Sequence, residues 1–198
     1  MIILLGFPKS GTTSFQELFK NLGYKTIHWT CKKKYIGTII KQNKLNKLPL
    51  LHGFENIDCV TQMDVCISDE HCYWPQIIDY KQLYKENMQC IFILNQRDPL
   101  KIINSFSRWN NMNERLYKFN PELIAPFNGD TNDEKLIQLI NAHYANVISF
   151  FNSKPKAKFI VFDIDNDNVN KLSKYINIKN QQFPHCNKNK NKNKNIKI

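Results

Sequence analysis

Gly6-Phe7-Pro8-Lys9-Ser10-Gly11-Thr12-Thr13 stands between an apolar run and a helical stripe. Before it, residues 2–5 are Ile-Ile-Leu-Leu, a short apolar run bounded by Gly6 and Pro8 that reads as a buried parallel strand. After it, Phe15, Leu18, Phe19 and Leu22 recur at helical spacing over residues 12–22, and Gly23 supplies a stop. A loop in that position offers backbone N–H groups and a helix N-terminus to a phosphate. Its glycines let the chain turn tightly and approach an anion closely. Thr12 and Thr13 add hydroxyl donors in the first helical turn, and Lys9 adds a positive charge.

The same alternation continues downstream. Residues 24–29 read as a second strand, and residues 31–51 as a basic segment holding one helix and a loop. Residues 58–67 hold a third strand and residues 80–86 a helix. Residues 90–94 form another buried strand, followed by Asp98 and Pro99 as N-cap and first residue of a helix running to Trp109. Residues 111–130 are rich in Asn and Pro and read as an irregular insertion. The longest helical pattern spans 133–151, with a final strand over 158–164 and a short helix over 169–175. Strands alternating with helices imply βαβ units, so the expected fold is α/β: a three-layer sandwich around a central parallel sheet. The expected domain covers residues 1–187. The remaining 188–198 are an alternating Asn/Lys tail expected to be disordered, because it has no apolar surface to bury.

Composition narrows the class. Of 198 residues, 42% are hydrophobic and 23% charged, ordinary for a globular protein with a real core. No apolar run approaches the roughly 18 residues that span a bilayer, and residues 1–5 lack the basic flank of a signal peptide. A soluble, cytoplasmic protein without a membrane partner is expected. Six cysteines, none in a CxxC pair, are then expected as reduced thiols. Cys66, His71 and Cys72 match no common zinc spacing, so no metal is expected. The formal charge of +11 suits an anionic ligand, although Lys188, Lys190, Lys192, Lys194 and Lys197 of the tail supply part of it. The abundance of Asn, Lys and Ile is also what AT-rich codons produce, so charge does not make nucleic acid the expected partner.

The lysine's position separates two kinds of phosphate loop. An ATP-type loop reads GxxxxGK[ST], with Lys after the second Gly. Here Thr12 occupies that place and the lysine is inside the loop at position 9. The stretch Pro8-Lys9-Ser10-Gly11-Thr12-Thr13 resembles the PKSGTT loop of sulfotransferases, which grips the 5′-phosphosulfate of the donor PAPS. A second stretch, Arg97-Asp-Pro-Leu-Lys-Ile-Ile-Asn-Ser105, resembles the family's strand-end Arg with a Ser eight residues on. Both bind the 3′-phosphate in that family. Arg97 would leave the strand as a charged fork for phosphate oxygens, and Ser105 would lie about two turns into the helix. Phe183-Pro-His-Cys-Asn187 is similar to the FPxxN ending of one subgroup, in which a His also follows the second strand, as His28 does here. The chain departs from the family at Ser14, where a Trp often follows the loop, and it lacks the late Gly- and Lys-rich element.

The resemblance implies transfer of a sulfuryl group from PAPS to a hydroxyl or amine of a small-molecule or glycan acceptor, with PAP as the product and no metal. It implies Pro8, Lys9, Ser10, Gly11, Thr12, Thr13, Arg97 and Ser105 as donor-binding residues. Lys9 is expected on the leaving-group side and His28 as the base, with Asp69, in the Asp69-Glu70-His71 cluster, as a second candidate. His143, inside the long helix, reads as a packing residue. Two other readings stand beside this one. Phe159-Ile-Val-Phe-Asp163 resembles the metal-binding strand of a P-loop kinase or NTPase. A degenerate, non-enzymatic protein that binds nucleotide or polyanion would suit the basic tail.

Overall fold

In the computed structural model, which describes residues 1–186, the loop quoted above leaves the middle of a seven-stranded sheet. In chain order the elements begin with β1 (Ile2–Leu4), α1 (Thr12–Asn21), β2 (Thr26–His28), β3 (Thr30–Cys31), β4 (Lys34–Tyr35) and α2 (Ile36–Leu45). Then come β5 (Cys59–Gln62), β6 (Val65–Cys66), β7 (Cys72–Tyr73), α3 (Pro75–Ile78), α4 (Tyr80–Glu86) and β8 (Ile91–Gln96). α5 (Pro99–Ser107), α6 (Met112–Phe119), a 3-10 turn (Pro121–Leu123), α7 (Asn132–Asn152), β9 (Lys158–Asp163) and a 3-10 helix (Val169–Lys174) complete it. The sheet order is β4-β3-β2-β5-β1-β8-β9. The five strands from β2 to β9 in that order are parallel, and β3 and β4 add an antiparallel edge.

The pleat of β1 divides the core. Ile3 pairs with Val60 and Phe92 in register, and with Leu5 it faces the layer built by α2 through α7. Ile2 and Leu4 face the other way, onto Phe15, Leu18 and Phe19 of α1 and onto Val169 and Leu172. Successive side chains on a strand point to opposite faces, so one central strand serves both layers. The result is the three-layer α/β sandwich expected. α7 starts at a capping box, in which Thr131 Oγ1 accepts from Glu134 N–H and the Glu134 carboxylate accepts from Thr131 N–H, at 3.2 Å each. α5 starts at Asp98, whose carboxylate accepts from Leu100 N–H and Lys101 N–H, with Pro99 next.

Several local expectations are corrected. The basic segment after residue 30 opens with the β3–β4 hairpin before its helix, and the third strand breaks at Met63, leaving Val65–Cys66 in a separate hairpin with Cys72–Tyr73. The Asn- and Pro-rich insertion contains a helix, α6. Its Met112 and Leu116, one turn apart, are buried in the larger core cluster, which outweighs the poor propensity of the flanking Asn residues. The short helix expected over 169–175 is present over Val169–Lys174, as a 3-10 helix. Cys66 and Cys72, opposite one another in the β6–β7 hairpin, are joined as a disulfide, so the expectation of thiols throughout fails at this pair. The Asn/Lys tail, 188–198, lies outside the described residues. Among the described residues, no helix is long and apolar enough to cross a membrane.

Candidate active site

All five parallel strands send residues from their carboxyl ends into one cavity of about 800 Å³. Lys9, Gly11, Thr12 and Thr13 follow β1, His28 and Trp29 end or follow β2, and Gln62 ends β5. Arg97 follows β8, with Ser105, Arg108 and Trp109 from α5 and just beyond it, and Ile164 and Asp165 follow β9. Open α/β sheets bind ligands at this edge, where the strand order reverses.

The loop after β1 is held from inside. Asn95, fully buried near the end of β8, accepts from Gly6 N–H (2.9 Å) and donates to the Ser10 carbonyl (3.0 Å) and Ser10 Oγ (2.6 Å). Gly6 is required by the closeness of that clamp, since a Cβ there would sit 2.1 Å from the Asn95 carbonyl oxygen. Phe7 is buried edge-on against Trp74, His143 and Tyr144. His143 takes the packing role expected. Its Nε2 hydrogen-bonds the Leu5 carbonyl at 2.7 Å, and burial holds its pKa down at about 4. With both ends pinned, the loop carries Lys9 and Gly11 at φ of 69° and 79°, both in the left-handed conformation. Pro8 and Ser10 are buried and do not line the cavity; they shape the loop.

Charge and hydrogen bonding in the cavity are uneven. The Lys9 ammonium lies 4.6 Å from the centre of the Trp109 ring, and its pKa is lowered by burial and by the Arg97 and Arg108 guanidinium groups. Arg97 Nη1 donates to the Lys9 carbonyl at 2.8 Å, tying the loop after β1 to the end of β8, and Arg97 Nε stands 3.9 Å from Asp165. That Nε is buried without a hydrogen-bond partner among the described residues. Lys101 shares Asp165 at 3.0 Å. Ser105 lines the cavity, and its hydroxyl donates back to the Lys101 carbonyl. Thr12 Oγ1 donates to Gln62 Oε1 at 3.0 Å.

His28 sits beside an irregularity in the β2–β5 pairing: Ile27 pairs with Val60, but His28 pairs with Gln62. Thr61, the extra residue, turns its hydroxyl to His28 Nδ1 at 2.9 Å while donating to the Ile27 carbonyl at 3.2 Å. A hydroxyl has one hydrogen, so Nδ1 carries the proton that Thr61 accepts and Nε2 is the basic nitrogen. Burial first, and Lys20 second, lower the His28 pKa to about 4, so the imidazole is neutral at pH 7.

Asp69 is placed differently. It is exposed in the turn between β6 and β7 and does not line the cavity, because the break after β5 carries that hairpin off the sheet. The acidic group nearest the end of β5 is instead Asp64, which accepts from Gln62 Nε2 and Gln76 Nε2 and whose pKa burial raises to about 7. Asp163, the end of the metal-strand resemblance, accepts from Asp165 N–H (2.9 Å) and Asn166 Nδ2 (2.8 Å) in its own turn and is not a lining residue. Among the described residues, no group of three or more His, Cys, Asp or Glu is arranged to hold a metal ion. The C-terminal segment closes the cavity through Phe183, His185 and Cys186. Ser14, where a Trp is often found, accepts from Cys186 N–H at 3.1 Å, and Phe183 packs on Phe15 and Phe162.

A family model described as a sulfotransferase domain matches residues 1–192. The chain belongs to the sulfotransferase family. No curated protein matches it. In this sulfotransferase, the cavity residues that sequence reading missed are Trp29, Gln62, Arg108, Ile164 and Asp165, with Asn95 behind them. Asn95 alone left a signal: a polar residue directly after an apolar strand run and two places before Arg97.

Proposed function

We propose that this sulfotransferase moves a sulfuryl group from PAPS to a hydroxyl or amine of a small-molecule or glycan acceptor. The observation that carries the reading is the convergence of Lys9, Thr12, Thr13, His28, Arg97 and Ser105, from three strand ends and a helix, on one cavity. The residues fit the donor: a loop with left-handed Lys9 and Gly11 ahead of a helix N-terminus suits the 5′ end, and Arg97 Nε, 3.9 Å from Asp165 and without a hydrogen bond among the described residues, has its hydrogen available to a phosphate oxygen. PAPS, when bound, supplies the sulfuryl group and the phosphate that leaves as part of PAP.

The chain's own residues have separate tasks. Thr12, Thr13 and the loop N–H groups orient the 5′-phosphate, and Arg97 with Ser105 holds the 3′-phosphate. Ser105 must turn its hydroxyl away from Lys101 to do so. Lys9 holds its proton at Nζ toward the leaving oxygen, where negative charge develops. His28 Nε2 takes the acceptor's proton as the acceptor oxygen bonds to sulfur and the sulfur–oxygen bond to the leaving phosphate breaks. A low pKa keeps His28 unprotonated in the empty site, and the arriving anions raise its basicity.

Calorimetric titration with PAP in EDTA, against ATP with Mg²⁺, tests the donor. Micromolar PAP binding with much weaker ATP binding is expected. Tighter ATP–Mg²⁺ binding would put the kinase reading ahead, and binding of neither would leave a protein without a working nucleotide site.

A further inference from the structure

The turn after β9 carries the carboxylates of Asp163, Asp165 and Asp167, and one of them is used differently from the other two. Asp163 accepts from Asp165 N–H at 2.9 Å and from Asn166 Nδ2 at 2.8 Å. Asp167 accepts from Asp163 N–H at 2.7 Å and pairs with Lys171 at 2.7 Å. Both serve the turn and the 3-10 helix after it. Asp165 reaches away from them: its Oδ2 accepts from Lys101 Nζ at 3.0 Å and stands 3.9 Å from Arg97 Nε. The strand register brings it there. Gln96 pairs with Asp163, and the Gln96 carbonyl accepts from Ile164 N–H at 3.1 Å, so Arg97 and Asp165 leave neighbouring strand ends side by side. Arg97 and Asp165 both line the cavity, and Lys101 does not.

A carboxylate therefore sits beside the guanidinium that the donor reading gives to the 3′-phosphate. Its hold there is loose. At 3.9 Å it attracts Arg97 without a hydrogen bond, and the buried Arg97 Nε keeps a hydrogen that no acceptor takes among the described residues. A phosphate monoester carries up to twice the charge of a carboxylate and three strong acceptor oxygens, so it wins that hydrogen. The two anions cannot share the place without repulsion. With a phosphate oxygen about 2.8 Å from Nε and Asp165 at 3.9 Å, the two oxygens are at most about 7 Å apart, within one Debye length at physiological salt. Lys101, more than half exposed, leaves Asp165 a partner outside the cavity lining once Arg97 turns to the phosphate.

We infer that Asp165 is an internal competitor of the 3′-phosphate for Arg97, and that it thereby sets how tightly the cavity holds donor and product. This rests on the donor reading of the same cavity. The consequence is release: PAP must leave after every turnover, and a carboxylate that takes Arg97 back eases its departure. AMP is the control, because it has the base and the 5′-phosphate but no 3′-phosphate. Binding of PAP and of AMP is measured by calorimetry for the wild type, Asp165→Asn and Asp165→Ala. Both variants are expected to bind PAP about tenfold more tightly than the wild type, and AMP within about twofold of it. Two variants are needed because an Asn amide can donate a new hydrogen bond to phosphate and Ala cannot. A gain with Asn alone therefore overturns the inference. So does PAP binding that is unchanged or weaker in both variants, and so does an equal gain for AMP, which would make Asp165 part of the general field of the cavity. If PAP binds none of the three proteins, the donor reading fails, and the inference with it.

Discussion

The loop between β1 and α1 and the β3–β4 edge of the sheet both hold non-glycine residues in left-handed backbone, but by different means. In the first, Lys9 is fixed by Gly6, Ser10 and a fully buried Asn95, with Phe7 sunk among aromatic rings. At the second, Lys32 and Lys33 are held only by a hairpin of two residues per strand, at the edge of the sheet and open to solvent. Displacing the first conformation means breaking buried hydrogen bonds, whereas changing the second disturbs few neighbours. The loop after β1 is on this contrast built into the core, and the edge hairpin is a periphery that can change without unfolding the protein.

The sharpest break is Gly6→Ala. The added Cβ meets the Asn95 backbone itself, so the loop or β8 must move, and a loss of about 3 kcal/mol or more is expected in urea denaturation, together with loss of PAP binding. Near-native stability would mean that the clamp does not hold the loop. His28→Ala acts on the other end. A fall in kcat of about a hundredfold or more is expected, with the melting temperature and PAP affinity close to wild type, and steady-state kinetics reads the split. An unchanged kcat would remove His28 as base.

An effect that is smaller per pH unit separates the buried carboxyl from the two histidines. With its pKa raised to about 7, Asp64 keeps its proton in the folded chain while the unfolded chain loses it near 3.8. Its contribution to stability is therefore full below pH 3.8 and is lost as pH rises to 7. His28 and His143, lowered to about 4, act in the opposite sense: each favours the folded state above pH 6.5 and loses that contribution as pH falls to 4. Asp64→Asn removes only the first slope. Between pH 4 and 7 the variant should gain on the wild type by at most about 1.4 kcal/mol per pH unit, measured by urea denaturation at each pH. A pH-independent difference would show that Asp64 titrates normally.

Local pattern was enough for β1, α1, β8, α5, α7 and β9, because apolar period, caps and the two phosphate motifs are written within short windows. With the family resemblance it also pointed to Lys9, Thr12, Thr13, His28, Arg97 and Ser105 before any contact was known: Lys9 and Arg97 follow strand ends, Thr12 and Thr13 open α1, His28 ends β2, and Ser105 lies about two turns into α5. The edge hairpin was not legible: strands of two residues carry no period, and their stability comes from pairing with chain distant in sequence. The same limit explains Asp69. A single acidic residue after a strand looks alike whether the chain continues along the sheet or turns off it, and only the break at Met63 sends this one to the surface. The clamp at Asn95 joins positions 89 apart, and the bond from Thr12 to Gln62 joins positions 50 apart. By itself the sequence determined the main alternation of strands and helices and the place of the loop after β1. The tertiary structure alone decided which polar groups meet, because a hydrogen bond depends on distance in space, and spacing along the chain does not record it.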